Sequence, residues 1–102
     1  MNLNPKLRDR LKIDALHTAA GIGCNHIIAK IIGGNAELLH EKDPIGRNAL
    51  MFAAKSGNVT TVKLLLKRGA NVLEKYSDKN TVLHYAAQKG YTDVVKAILD
   101  FT

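Results

Sequence analysis

The stretch LHTAAGIGCNH, Leu16 to His26, invites a chemical reading. Gly21 and Gly23 flank Ile22 as a G-x-G, Cys24 is a candidate nucleophile, and His17 and His26 are candidate bases or, with Cys24, metal ligands. The rest of the chain argues for something plainer. LMFAAKSGNVT begins at Leu50, 34 residues on, and LHYAAQKGYTD begins at Leu83, a further 33 residues on. The likeness continues downstream, where Ile27 to Ile32 aligns with Thr61 to Leu66 and with Val94 to Leu99 and the apolar positions recur. Self-similarity at a fixed period of this size marks stacked repeat units, each too small to bury its own apolar face.

Each unit can be read physically. Asp14, Asn48 and Thr81 share one column ahead of the first apolar-periodic residue. Their short oxygen-bearing side chains suit the N-cap, where one of the free N–H groups of a helix's first turn needs an acceptor. Behind them, Ala19-Ala20, Ala53-Ala54 and Ala86-Ala87 favour helix and are too small to hold neighbouring helices apart. Gly23, Gly57 and Gly90 end this first helix, where a left-handed residue is commonly needed. A second helix carries the aliphatic run and stops at Gly69 in the middle unit, and Asn35, the usual second choice for a left-handed cap, holds that column in the first.

The middle unit, DPIGRNALMFAAKSGNVTTVKLLLKRGANVLEK from Asp43 to Lys75, resembles the ankyrin repeat family. Asp43, Gly46, Leu50, Ala53, Ala54, Gly57, Val62, Leu64 to Leu66, Gly69, Ala70 and Val72 carry the resemblance, which extends from Asp9 to the last residue. There are departures. Asn48-Ala49 and Thr81-Val82 stand where Thr-Pro is usual, Met51 replaces the histidine of the first helix, Lys79 replaces the hairpin glycine and Leu73 replaces an asparagine. The resemblance implies an all-α solenoid of helix-turn-helix units joined by β-hairpin loops. It divides the single array 1–102 into an N-terminal cap or arm (1–8), two repeats (9–42 and 43–75) and a truncated third (76–102). Met51 removes an inter-repeat hydrogen bond, and Lys79 makes the third hairpin less regular.

The opening stretch is then the corner between paired helices. The equivalent corners, Lys55-Ser56-Gly57 and Gln88-Lys89-Gly90, hold one glycine each, and a phosphate loop would need a preceding strand. His17 and His84 fall in a column where the resemblance implies a bond to backbone of a neighbouring repeat. Cys24 shares a variable column with Asn58 and Tyr91. The spacing of His17, Cys24 and His26 matches no zinc motif and lacks a fourth ligand, so no metal and no cofactor is expected. The carboxylates are scattered over caps, hairpins and helix starts, and Ser56 and Ser77 lie on a corner and a hairpin. No catalytic pair or triad emerges.

Composition bounds the rest. A chain of 102 residues, 46% apolar, is about one domain, and its net charge of +6 suits an acidic partner. A single cysteine and no secretory leader point to a reducing compartment, cytoplasmic or nuclear. No apolar run approaches a membrane span, so no membrane insertion is expected.

What remains is surface, since solenoids present extended concave faces to partners. The resemblance places Thr18, Phe52 and Tyr85 on the groove, followed one turn later by Gly21-Ile22, Lys55-Ser56 and Gln88-Lys89. The hairpins add Arg10, Leu11 and Ile13, then Pro44, Ile45 and Arg47, then Ser77, Asp78 and Asn80. Either Phe52 and Tyr85 anchor a partner, as aromatics often do, or they pack against each other between repeats. Lys63, Lys67, Arg68 and Lys96 fall on the convex side. The expected function is non-catalytic binding of a protein with an acidic and apolar surface. The alternatives are a regulatory or targeting segment of a larger enzyme or channel and, on the charge alone, a nucleic-acid binder. At the ends, Asn4-Pro5 reads as an N-cap with Pro at N1 of a short helix over Pro5 to Arg10, with a disordered arm as the competing reading. Val95, Ile98, Leu99 and Phe101 leave the last repeat without a polar outer face, which predicts contact with further repeats or with a partner.

Overall fold

The computed structural model describes residues 4–102. The chain forms α1 (Pro5–Ile22), α2 (Asn25–Gly34), a short 3₁₀ helix (Ala36–His40), α3 (Ala49–Lys55), α4 (Val59–Lys67), α5 (Val82–Lys89) and α6 (Thr92–Phe101). Two layers result. The inner helices α1, α3 and α5 pack side by side, and the outer helices α2, α4 and α6 stack behind them in a body of 46 × 28 × 21 Å.

The core lies between the layers and runs the length of the stack. Leu16 and Ala20, then Leu50, Ala53 and Ala54, then Val82 and Ala86 fill it from the inner helices, and Ile28, Val62, Leu65 and Val94 from the outer ones. The alanine pairs permit this closeness. Each corner closes through a left-handed glycine, Gly23 at φ 89°, Gly57 at φ 74° and Gly90 at φ 72°.

The columns expected to cap the inner helices behave differently in each repeat. Asn48 Oδ1 accepts from the Met51 N–H (3.1 Å), as a cap should. Thr81 and His84 form a capping box, with His84 Nδ1 accepting from the Thr81 N–H at 3.1 Å. Asp14 is no cap at all, because it lies within α1, where it pairs with Arg10 at 3.2 Å. The true cap of α1 is Asn4, accepting from Leu7 N–H (2.8 Å), with Pro5 at N1. The short helix expected over Pro5 to Arg10 is therefore the start of one 18-residue helix, and Arg10, Leu11 and Ile13 sit on that helix and not on a hairpin. The cause is local. The segment KLRDRLKID holds no glycine or proline to turn the chain and is rich in helix formers, and the Arg10–Asp14 pair at i, i+4 adds support. Residues 1–3 of the expected cap lie outside the described residues.

Asn35 also departs from expectation. Its backbone is extended (φ −161°), and its side chain accepts from the Glu37 N–H at 3.1 Å, so it starts the 3₁₀ helix where a left-handed stop was expected. The connections expected as β-hairpins contain no strand among the described residues. They are reverse turns of one pattern. Asp43 N–H donates to Arg47 O and Gly46 N–H to Asp43 O, just as Tyr76 N–H donates to Asn80 O and Lys79 N–H to Tyr76 O. The third-repeat turn is thus as regular as the second, with Lys79 taking the left-handed conformation (φ 67°) that Gly46 adopts without side-chain strain (φ 93°).

Candidate protein-binding face

The inner helices and the two turns line one face, and its two aromatic rings are held in different ways. Phe52, half-buried on α3, stacks on His17 of α1 with centroids 5.0 Å apart and planes at 23°. The Arg47 guanidinium lies 4.8 Å from the Phe52 centroid, a cation–π distance. Arg47 is itself fixed by Asp43, which accepts from its Nε and from its backbone N–H, both at 2.8 Å. Burial alone would raise the Asp43 carboxyl, but the hydrogen bonds from Arg47 and from Ile45 N–H outweigh it and hold the pKa below the usual value.

Tyr85, half-buried on α5, meets Tyr76 at 5.7 Å and 59° and has the Lys55 ammonium 5.7 Å from its ring. Its hydroxyl donates to Asp78 Oδ2 across the turn. Burial, with the Asp78 carboxylate beside it, pushes the Tyr85 phenol up to about 12. The hydrogen bond from Tyr85 in turn lowers Asp78. The two rings are therefore tied to separate partners, Phe52 to His17 and Tyr85 to Tyr76.

Around the rings, Thr18, Ile22, Pro44, Ile45, Lys55, Ser56, Ser77, Asp78, Gln88 and Lys89 are exposed or partly exposed, while Arg47 and Asn80 are half-buried. Of the residues expected on the first hairpin, Arg10 pairs with Asp14, Leu11 is exposed and Ile13 belongs to the core. No carboxylate lies within ion-pair distance of Lys55 or Lys89 among the described residues. Lys63 and Lys67 lie on α4, Arg68 just after it, and Lys96 on α6, all on the outer layer.

Of the chemistry-like residues, the histidines His17 and His84 have structural partners. His17 is buried and its Nε2 lies 3.2 Å from Glu41 O, joining α1 to the link into the second repeat. Desolvation lowers the His17 pKa more than this bond raises it, so the ring is neutral at pH 7. His84 bonds to its own cap and not to a neighbouring repeat. Cys24 is half-buried at the start of α2, and no cluster of three or more metal-ligating side chains occurs among the described residues.

Two features escaped the sequence. The first is a polar chain that runs from the core to the surface: Tyr76 Oη donates to the buried Asn48 Oδ1 (2.9 Å), Asn48 Nδ2 donates to Glu74 Oε2 (3.3 Å), and Glu74 pairs with the exposed Lys42 at 2.7 Å. Burial drives the Tyr76 phenol far above its ordinary pKa. This chain links the second and third repeats beside Met51, which is buried and apolar. The second is a set of plugs and sockets. A Cβ on Gly23 would sit 3.1 Å from Asn58, and one on Gly57 would sit 3.1 Å from the Tyr91 ring. Asn58 also donates to Gly21 O (3.1 Å), and the buried Thr61 donates to Asn25 Oδ1 at 2.5 Å. The column read as variable is thus the one that seats each repeat on the glycine corner before it.

A family model described as ankyrin repeats, three copies, matches residues 16–102, and the chain belongs to the ankyrin repeat family. Ankyrin repeats are general protein–protein interaction modules with a non-catalytic fold. The chain is 38% identical over 84 residues to inversin of Gallus gallus, covering 82% of this chain and 8% of inversin. It is 40% identical over 106 residues to transient receptor potential cation channel subfamily A member 1 of Homo sapiens, covering 98% of this chain and 9% of the channel. The chain thus spans less than a tenth of these relatives. A chain in the solved structure of the Bd0816 predatory endopeptidase of Bdellovibrio bacteriovorus in complex with immunity protein Bd3460 is similar with a TM-score of 0.78 and 30% identity, over 85% of this chain and 45% of that one. Among the described residues no helix is long and apolar enough to cross a membrane.

Proposed function

We propose that the chain binds another protein through this face, without catalysis, setting an apolar side chain of the partner against Phe52 and Tyr85 and acidic groups against Arg47, Lys55 and Lys89. The observation that carries the reading is that each half-exposed ring has a cation beside it, Arg47 at 4.8 Å and Lys55 at 5.7 Å. Rings already ordered lose little freedom on binding, and aromatic and arginine side chains are those that most often dominate an interface. Ile45, exposed at the tip of the second turn, extends the apolar contact. The fit is to an acidic segment with an apolar centre inside the cell.

A second reading is supported by the short span of each relative that this chain covers: the array acts as the regulatory or targeting segment of a larger channel or enzyme. Nucleic acid is disfavoured, because the lysines occupy both faces and form no single basic track. The test is selection of a random peptide library on the immobilised chain. Selected peptides should carry Asp or Glu flanking a large apolar residue, should be lost on Phe52→Ala and should be kept on reversal of Lys63 and Lys67 to Glu. A selection unchanged by Phe52→Ala would remove the face from consideration.

A further inference from the structure

We infer that the partner segment lies across the inner helices in a polyproline II conformation, with its apolar residue at the first repeat and its carboxylates at the second and third. The inference rests on the binding face proposed above and gives the order of chemistry along it.

The row that sets this order runs along the corner ends of the inner helices. Its columns are open even in the middle repeat, where Lys55 and Ser56 are exposed although a repeat packs on each side. In the first repeat the row is apolar. Ile22 is 72% exposed, and Gly21 has no side chain where the later repeats carry Lys55 and Gln88. A Cβ on Gly21 would lie 3.9 Å from Phe52 Cδ1, so the bare glycine leaves the edge of the Phe52 ring open and makes a seat with Ile22. In the second and third repeats the row is basic, with the Lys55 ammonium 5.7 Å from the Tyr85 ring centroid and Lys89 one helix further on.

Charge places the acidic end of the segment. Arg47 is already paired with Asp43 at 2.8 Å, and Asp78, at the turn end of Tyr85, repels a carboxylate. Lys55 and Lys89, at the corner end, have no carboxylate within ion-pair distance among the described residues. Spacing then selects the conformation. Packed helices lie about 8–10 Å apart, and a polyproline II chain rises about 3.1 Å per residue with three residues per turn, so every third side chain returns to the same side after about 9.3 Å. A β-strand turns its third residue to the opposite side, and an α-helix needs about seven residues for the same step. A short helix is also marginal in water, whereas polyproline II is already populated in unfolded chains and costs less to order. The fitting segment is a large aliphatic residue, an acid three residues away and a second acid three beyond that.

Fluorescence anisotropy with labelled seven-residue peptides and the full chain, at low salt, tests this. The ordered peptide carries leucine at its first position and glutamate at its fourth and seventh, with proline and alanine between, and its reversed sequence covers the other chain direction. A peptide of the same composition with leucine in the middle is the comparison. One of the two ordered peptides should bind at least about fivefold tighter than the comparison, the scale of one charge pair. Gly21→Gln fills the seat with the side chain that the third repeat carries in that column, and glutamine suits a helix better than glycine, so the fold is kept. It should bring the ordered peptide down to the comparison. Lys89→Glu should weaken the ordered peptide about fivefold, and lysine in place of the far glutamate should restore binding; Lys55→Glu should be restored by lysine in place of the near one. Ordered and comparison peptides that bind alike, both losing affinity on Phe52→Ala, would overturn the order and keep the face, as would tighter binding of a helical peptide with the three residues seven apart. No binding up to about 1 mM, or indifference of every peptide to Phe52→Ala, would overturn the order and the face together.

Discussion

Replacing Gly57 with alanine separates two costs that glycine avoids at this corner. The first is backbone strain, since Gly57 is at φ 74°, and a side chain in the left-handed region costs about 1–2 kcal/mol. The second is contact, since the new Cβ falls 3.1 Å from the Tyr91 ring, and crowding of this kind adds about 1–3 kcal/mol. Together they predict a loss of about 2–5 kcal/mol for Gly57→Ala. Gly90 is the internal control, because its φ of 72° is nearly the same and a Cβ there meets nothing within 4 Å. Gly90→Ala should therefore lose only the strain, about 1–2 kcal/mol. Urea titration followed by far-UV circular dichroism at micromolar protein measures both, and unchanged m-values would show that the denatured state is not the origin. Tyr91→Ala in the Gly57→Ala background should recover most of the difference in a double-mutant cycle. Equal losses from the two glycines would refute the claim that Tyr91 seats on the second corner.

Leu65, fully buried between the helix layers in the central repeat, should cost about 2–5 kcal/mol when cut to alanine, read from the same titrations. For His17, burial depresses the folded pKa below its ordinary 6.5, so the unfolded chain binds the extra proton first; stability is full above 6.5 and falls as the pH drops through the folded pKa. His17→Gln, whose amide still reaches Glu41 O but does not titrate, should flatten melting temperature against pH below 6.5, and an unchanged slope would point to another group. Tyr76→Phe should cost about 1–2 kcal/mol by leaving Asn48 short of one donor in a buried site, whereas Tyr85→Phe should cost less because its partner Asp78 is exposed. With a selected acidic peptide, reversal of Lys55 and Lys89 should slow association and flatten its salt dependence, whereas Phe52→Ala should speed dissociation and cost at least about 1–2 kcal/mol.

The stacking of the repeats was legible because it depends on residue size and on the sign of φ, which recur in fixed columns. The Ala pairs, the three corner glycines and Asn48 needed no tertiary information. The first repeat misled because column alignment projected a turn onto residues 9–13, while the local sequence, without glycine or proline, favours continued helix. Asn35 misled for a related reason, since its side chain found a nearer use in capping the 3₁₀ helix. The Tyr76–Asn48–Glu74–Lys42 chain has no periodic signature, because Tyr76 stands in the column of Asp43 and its partner lies 28 residues away. The Asn58 and Tyr91 plugs looked interchangeable because the recurring element is the glycine that receives them. On the candidate face, sequence located Phe52 and Tyr85, but their cations and supporting rings depend on side-chain directions that only the assembled turns fix.

The reach of the cross-repeat bonds has a kinetic consequence. No side-chain hydrogen bond among the described residues joins positions more than 38 apart, the length of Asn58 to Ala20. Closing a loop of that size is no dearer at one end of the chain than at the other, since the entropy lost grows only with the logarithm of loop length. The first pair of repeats to meet can therefore be either pair, and the central one belongs to both. Folding then begins around α3 and α4 and spreads outward in either direction, and a lesion in an end repeat should leave the folding rate nearly intact while hastening the unfolding of that end.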